Sequence, residues 1–270
     1  MSYQNRNNVT NRVGGTGIGS KAGQSIYDES STPKFALGEK LEFADGRVFR
    51  YGYTGAAVKA GLLVAPDEST TSVAATDNAV SSASGEFSPA AGSTKFQVTL
   101  ASKSENQFAG AYFQVGPTAL DAGVGEGIQY RIKSNSATAA TTAGKVDIEL
   151  YDPIKVALTT ASDFYICGNP HDELIAANSA DTVVVGVAPI AFTANYYGWF
   201  QTAGIALVYV ESNGSALPAI GDNVTLGDGT AGACQLSLGM TSQVDPIIGI
   251  AANVGVAGEF IGVRLRLGEV

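Results

Sequence analysis

The feature that most constrains this chain is a period of two. In residues 127–134, GIQYRIKS, Ile128, Tyr130 and Ile132 alternate with Gln129, Arg131 and Lys133, and in residues 145–151, KVDIELY, Val146, Ile148 and Leu150 alternate with Asp147 and Glu149. Successive side chains of a strand point to opposite faces, so each run has one apolar and one polar face, the signature of a half-buried antiparallel strand. Residues 41–53 repeat the pattern around Asp45-Gly46, which predicts a hairpin closed by a tight two-residue turn, with Phe49, Tyr51 and Tyr53 on one face. Further strands are expected at 95–101, 108–115, 181–188, 205–211, 222–226, 247–252 and 260–267.

No window sustains a long amphipathic helix. Short helices are expected near 158–163 and near 172–177, the latter opened by Asn169-Pro170. Residues 66–94, rich in Ser, Thr, Ala and Gly, read as a long loop with one weak strand. The fold class is therefore mainly β, an antiparallel β-sandwich or barrel-like body.

A chain of 270 residues buries roughly three quarters of its unfolded surface, enough for one large β domain or two small ones without covalent staples. Residues 1–38 differ from the rest: they are rich in Asn, Gly, Ser and Thr, lack periodicity, and predict an extended N-terminal arm that needs a partner to become ordered. Residues 39–270 form the β-rich body. Within it, Gly110-Ala-Tyr-Phe-Gln and Gly198-Trp-Phe-Gln echo one another, which suggests two β subdomains dividing near residue 157.

Charge is scarce, 15% of residues, and unevenly spread. Residues 1–27 carry Arg6, Arg12 and Lys21 and no acid, giving +3, so the remainder holds −12 of a net −9. No Lys or Arg occurs between Lys155 and Arg264, while nine acids do. Nucleic-acid affinity rests on neutralising phosphates, so this body is not expected to bind DNA or RNA. No apolar run is long enough to span a bilayer, and the N-terminal residues lack the apolar core of a signal peptide, so the expectation is synthesis in a cytoplasm with no membrane partner.

The candidates for chemistry are few. His171 is the only histidine, so any Ser-His-Asp or Cys-His unit must use it; its setting, Asn169-Pro170-His171-Asp172-Glu173, reads as a structural turn. Cys167 and Cys234 are expected to be buried free thiols. Asp222, Asn223 and Asp228 loosely resemble a calcium loop but lack its carboxylate series, and a β-turn is favoured. Gly14-Gly15-Thr16-Gly17-Ile18-Gly19 has neither the preceding strand nor the closing Lys of a phosphate loop. The expectation is no catalytic residue, no metal and no cofactor.

Residues 194–212 hold the single tryptophan, with Tyr196, Tyr197, Trp199 and Phe200 around one glycine. Such a cluster is either a platform that stacks a sugar or the anchor of a β-core. Beyond it, Ile205, Leu207 and Tyr209 share one face and Ala206, Val208 and Val210 the other, both apolar, which predicts a strand covered on both sides. That favours Trp199 and Phe200 as packing anchors and leaves Tyr196 and Tyr197 as the residues expected to touch a neighbouring subunit.

Three stretches together resemble the capsid decoration, or cement, proteins of tailed bacteriophages: 41–51 leading to Ala60-Gly61; 125–132 with Asp152-Pro153 and Val156-Ala-Leu158; and Gly186-Val-Ala188 through Tyr197–Thr202. The closing run Gly249-Ile-Ala251, Ala257-Gly-Glu259 and Val263-Arg-Leu265 is similar to the final hairpin of small phage head proteins. The resemblance spans residues 36–270 and transfers no catalytic residues. It implies a structural protein on the outer capsid surface of a virion, partnered by the major capsid protein and by itself as a homotrimer, with Arg6, Arg12 and Lys21 on a capsid-contact arm. Other expectations are a head-fibre or tail component and a carbohydrate-binding or adhesive β module.

Overall fold

The computed structural model describes residues 20–21, 23–73, 80–81, 85–116, 125–138, 144–160, 162–178, 183–211, 217–237 and 246–267. They are almost entirely β, in antiparallel sheets curled into half-barrels. The chain forms two compact units, residues 1–67 with 170–270, and residues 68–169. The second is thus inserted into the first, and the expected division near 157 is replaced by two boundaries. The reason is the pairing of residues 174–176 with 64–66, which the local echo at 110 and 198 could not reveal.

The first unit begins with β1 (Ser20–Lys21), β2 (Gln24–Ser25), β3 (Lys40–Glu42), β4 (Val48–Tyr53) and β5 (Leu63–Pro66). The inserted unit holds α1 (Glu68–Thr71), a short 3-10 turn at Gly85–Phe87, β6 (Lys95–Leu100), β7 (Tyr112–Val115), β8 (Gln129–Asn135), β9 (Gly144–Leu150) and β10 (Phe164–Cys167). The first unit resumes with β11 (Leu174–Ala176), β12 (Gly186–Val187), β13 (Tyr197–Tyr209), β14 (Asn223–Leu226), β15 (Cys234–Leu236), β16 (Gly249–Ala251) and β17 (Phe260–Arg266).

In the inserted unit the strands lie in the order β10-β7-β8-β9-β6. The two alternating runs behave as their pattern requires. Tyr130 and Ile132 of β8 and Val146, Ile148 and Leu150 of β9 enter a core with Phe96, Phe108, Phe113 and Phe164, while Gln129, Arg131 and Lys133 stay outside. On β10 the same alternation buries Phe164 and Ile166 and leaves Cys167 exposed, which corrects the expectation of two buried thiols.

In the first unit ten strands form one sheet, with β13 at its centre. β13 pairs with β4 over Tyr197–Ala203 and with β17 over Ala203–Tyr209, and its register slips at Gln201–Ala203. Gly204 follows this bulge with φ of 83°, and a Cβ there would lie 2.9 Å from the Arg47 Cα, so only glycine lets β13 pass beneath the 43–47 loop.

That loop corrects the turn expected at Asp45-Gly46. Phe43 N donates to Arg47 O and Gly46 N to Phe43 O, with Gly46 at φ 87°, so three residues rather than two close the hairpin. It is a type I turn followed by a left-handed glycine. The helix expected near 172–177 is instead strand β11, paired with β5 through Leu174↔Pro66, Ile175↔Ala65 and Ala176↔Val64. This pairing closes the 68–169 insertion. Glu173 at φ 49° turns the chain into the strand, and sheet pairing there overrides local helix preference. Among the described residues of 158–163 none is helical either: Asp163 makes an isolated β-bridge and the others form turns and irregular chain.

Candidate interaction surface

The aromatic cluster is a core element. Trp199 has no exposed surface and lies among Ile26, Leu41, Phe43, Phe49 and Tyr51, with the Phe35 and Tyr51 rings each 5.1 Å away. Its Nε1 is buried without a hydrogen-bond partner among the described residues. Phe200 points to the other face of β13 and stacks on Phe192 at 4.6 Å. An indole with no exposed face has nothing to offer a sugar ring. Tyr196 and Tyr197 are half-buried: the Tyr196 carbonyl accepts from Thr54 N and Oγ1, and the Tyr197 ring packs 4.7 Å from that of Tyr53.

The chain covering Trp199 comes from the segment read as an arm. Gln24 and Ile26 are buried, Ser30 bridges to Tyr197, and Glu29 accepts from Thr193 N and Oγ1. Residues 23–38 therefore find their partner in the body of the same chain. Arg6, Arg12 and the glycine run 14–19 lie outside the described residues, and Lys21 is placed on β1 with no side-chain description.

The histidine and the acids that were candidates for chemistry have structural occupations. His171 is buried, with its ring against Gly38. Asp222 caps Ala219 N, and Asp228 accepts from Gln235. The loop read as a loose calcium site is organised by a residue the sequence reading passed over: buried Glu211, whose carboxylate accepts from the backbone N–H groups of Asp228, Gly229 and Thr230. Its one sequence signal is an acid at the end of an apolar strand. No group of three or more His, Cys, Asp and Glu side chains is arranged to hold a metal among the described residues.

Close enough to Tyr53 and Tyr197 to act on their hydroxyls by charge is a pair of partly buried carboxyls, Asp172 and Glu173. Burial, and secondarily the charge of Glu173, push Asp172 up to about 6. Glu173 is raised by burial and then by Asp67.

The surface that stands out is the outward face of β13 and β17. On the first half of β13 both faces are covered; on the second half Ala206 and Val208 are buried, but Ile205 is 54% exposed and Leu207 61%. The expected strand covered on both sides is therefore bare on one side, because nothing in the described chain crosses it. Leu207 faces Gly262 across the ladder, which supplies no side chain to shield it. Next to it Phe260, 46% exposed, packs edge-on against Tyr209 at 5.5 Å, and its ring rests over Gly61. Tyr27 joins Leu207 and Phe260 along a shallow groove that also includes Arg47 and Pro189.

The face also carries positive charge. Arg264, opposite Ile205, and Arg266, opposite Ala203, are exposed and make no ion pair among the described residues. Glu259 is exposed in the turn that precedes β17, which also carries exposed Val254 and Val256. No helix among the described residues is long and apolar enough to cross a membrane. Comparison of the chain with family models, with curated proteins and with solved structures finds no match.

Proposed function

We propose that this chain is a structural virion protein that binds the outer surface of a phage capsid lattice and stabilises it. The observation that supports this most directly is the bare apolar face of β13 and β17. Contiguous exposed apolar side chains on a folded protein mark surfaces that an assembly covers. Of the side chains that sequence reading could offer to catalysis or metal binding, His171 is packed in the interior and Asp222 and Asp228 hold turns, which favours an assembly role over an enzyme. The resemblance of the 41–51, 125–132 and 186–202 stretches to capsid decoration proteins supplies the setting, with the major capsid protein as partner and a homotrimer as the expected form. Arg6, Arg12 and Lys21 of the N-terminal segment are the proposed capsid contacts, suited to an acidic lattice. Many weak contacts repeated over a lattice replace a single strong one.

The test is cosedimentation of purified protein with phage heads stripped of their accessory proteins. Saturable binding in fixed ratio to the major capsid protein, with heads that then resist heat or osmotic shock, is the expected result. Protein left in the supernatant at all concentrations rules the proposal out. The carbohydrate reading loses its platform with the burial of Trp199, and a head-fibre or tail role would show as binding to tails instead of heads.

A further inference from the structure

We infer that the outer edge of β3 is a self-complementary interface: a second copy of this chain adds its own β3 antiparallel to it, with Lys40 of each copy opposite Glu42 of the other. The inference goes beyond the capsid reading and does not depend on it.

β3 ends the sheet on its side, since among the described residues it pairs with β4 alone. Tyr51 N donates to Glu39 O and Phe43 N to Arg47 O, so residues 39, 41 and 43 turn their backbone groups toward β4, while residues 40 and 42 turn theirs to the outer edge. The N–H and C=O of Glu42 meet no partner among the described residues. Such an edge is a template for another strand, because the groups that match it are those of an extended peptide backbone.

The side chains select which strand. Leu41 and Phe43 point into the core around Trp199, whereas Lys40 and Glu42 share the outer face as an ion pair 3.3 Å apart. Lysine alone on an edge strand repels a copy of itself, a common guard against edge pairing. One cation and one anion two positions apart have the opposite property. Rotation by 180° about an axis beside Leu41 lays the two strands antiparallel with residue 40 facing residue 42 on both sides of the axis, so both cross-strand pairs are opposite in charge. Within one chain Lys40 faces Arg50 across β3 and β4, a like-charge pair that the incoming Glu42 would offset. In this register the Glu42 N–H of each copy donates to the Lys40 carbonyl of the other, an acceptor with two lone pairs. A slip of one residue would turn the partner's charges to the core side. The N-terminal segment of residues 1–19 carries Arg6 and Arg12 without an acid, and so brings no anion to Lys40 and Arg50.

The contact is short. The chain turns at Ala36–Glu39 before the strand and at Phe43–Arg47 after it, which confines the edge to Lys40–Glu42. That is well below the roughly 1,000 Å² of a stable interface. The pairing is therefore weak between free molecules and effective where copies are held close together.

Disulfide trapping reads such a contact. Full-length chains with Cys167→Ser and either Lys40→Cys or Glu42→Cys are oxidised separately and as an equal mixture. Opposed Cα atoms would lie about 5.5 Å apart, within reach of a disulfide, whereas each new cysteine would lie about 9 Å from its own counterpart. The mixture is expected to form covalent dimer at least tenfold faster than either variant alone. Sedimentation at high concentration gives a second reading. Glu42→Lys and Lys40→Glu should each weaken self-association at least tenfold, and mixing the two variants should restore it; circular dichroism and melting of each verify that it is folded. Trapping no faster in the mixture than in the singles overturns the inference, as does a mixture of the charge variants that associates no better than either alone. Stripped heads that leave the wild-type protein unbound would count against the capsid reading and leave this interface standing.

Discussion

The hydroxyl of Tyr51 donates a 2.7 Å hydrogen bond to Oε1 of Gln24, 27 positions earlier, where neither side chain is more than 5% exposed. The same glutamine donates through Nε2 to the carbonyls of Asp28 and Tyr197, and the tyrosine oxygen accepts from Lys34 N. One buried amide thus fastens the 24–34 segment to β4 and β13, over the tryptophan. Gln24→Ala strands a hydroxyl and a carbonyl away from water and is expected to cost about 1 to 3 kcal/mol in a urea or guanidinium titration.

Truncation separates the two parts of the N-terminal segment. Removing residues 1–19 is expected to leave the denaturation midpoint unchanged. Removing residues 1–33 also takes Gln24 and fully buried Ile26, and should cost several kcal/mol, roughly 2 to 5 for the isoleucine alone. Equal midpoints for the two truncations would contradict the packing of Ile26 against Leu41 and Trp199.

Trp199 has the role of a core anchor, so Trp199→Ala should lose roughly 3 to 5 kcal/mol of stability. Trp199→Phe fills most of the same space and removes an indole N–H that has no acceptor, so it should cost clearly less than the alanine variant. Calorimetry of the two variants decides. A tryptophan whose loss alters a ligand affinity but not the melting temperature would contradict its placement in the core.

Asp172 gives stability a slope with pH. Its folded-state pKa of about 6 lies above its ordinary 3.8, so the fold favours the protonated acid. Its contribution is fully present below about pH 3.8 and is lost as pH rises through about 6. Ionisation at pH 7.5 then costs up to ~3 kcal/mol, and Asp172→Asn should recover part of it while flattening the stability curve between pH 5 and 7.5. Glu173, shifted the same way, leaves a residual slope. Melting temperatures of both proteins across that range would expose an error: parallel curves mean that Asp172 is not the titrating group.

The two cysteines should differ in reactivity. Cys234 is buried on β15 and pushed up to about 12 by its burial, whereas Cys167 is exposed on β10, with a thiol raised by partial burial and then by Glu68. A thiol reagent should titrate one cysteine in the native protein, slowly at pH 7, and two in denaturant. Cys167→Ser should abolish the native signal.

Local pattern determined a good deal of this protein. The alternation at 128–133 and 146–150, the hairpin around residue 46 and the strand at 260–266 are legible because side-chain period and turn chemistry are written into a few adjacent residues. The mainly β class followed from them. The insertion of residues 68–169 was decided by tertiary structure, because Leu174–Ala176 becomes a strand only when it pairs with Leu63–Pro66 across more than a hundred residues. The same holds for Glu211, an acid whose partners are three amides 17 to 19 positions away. It holds most for β13, where the sequence shows apolar side chains on both faces of residues 205–210 and an aromatic cluster before them. Only the packing of Phe35, Leu41 and Phe192 shows that the Trp199 half is covered on both sides, while Leu207 and Ile205 have no cover from the described chain. Hydrophobicity establishes that a side chain gains by leaving water; which surface removes it from water is a property of the assembled fold.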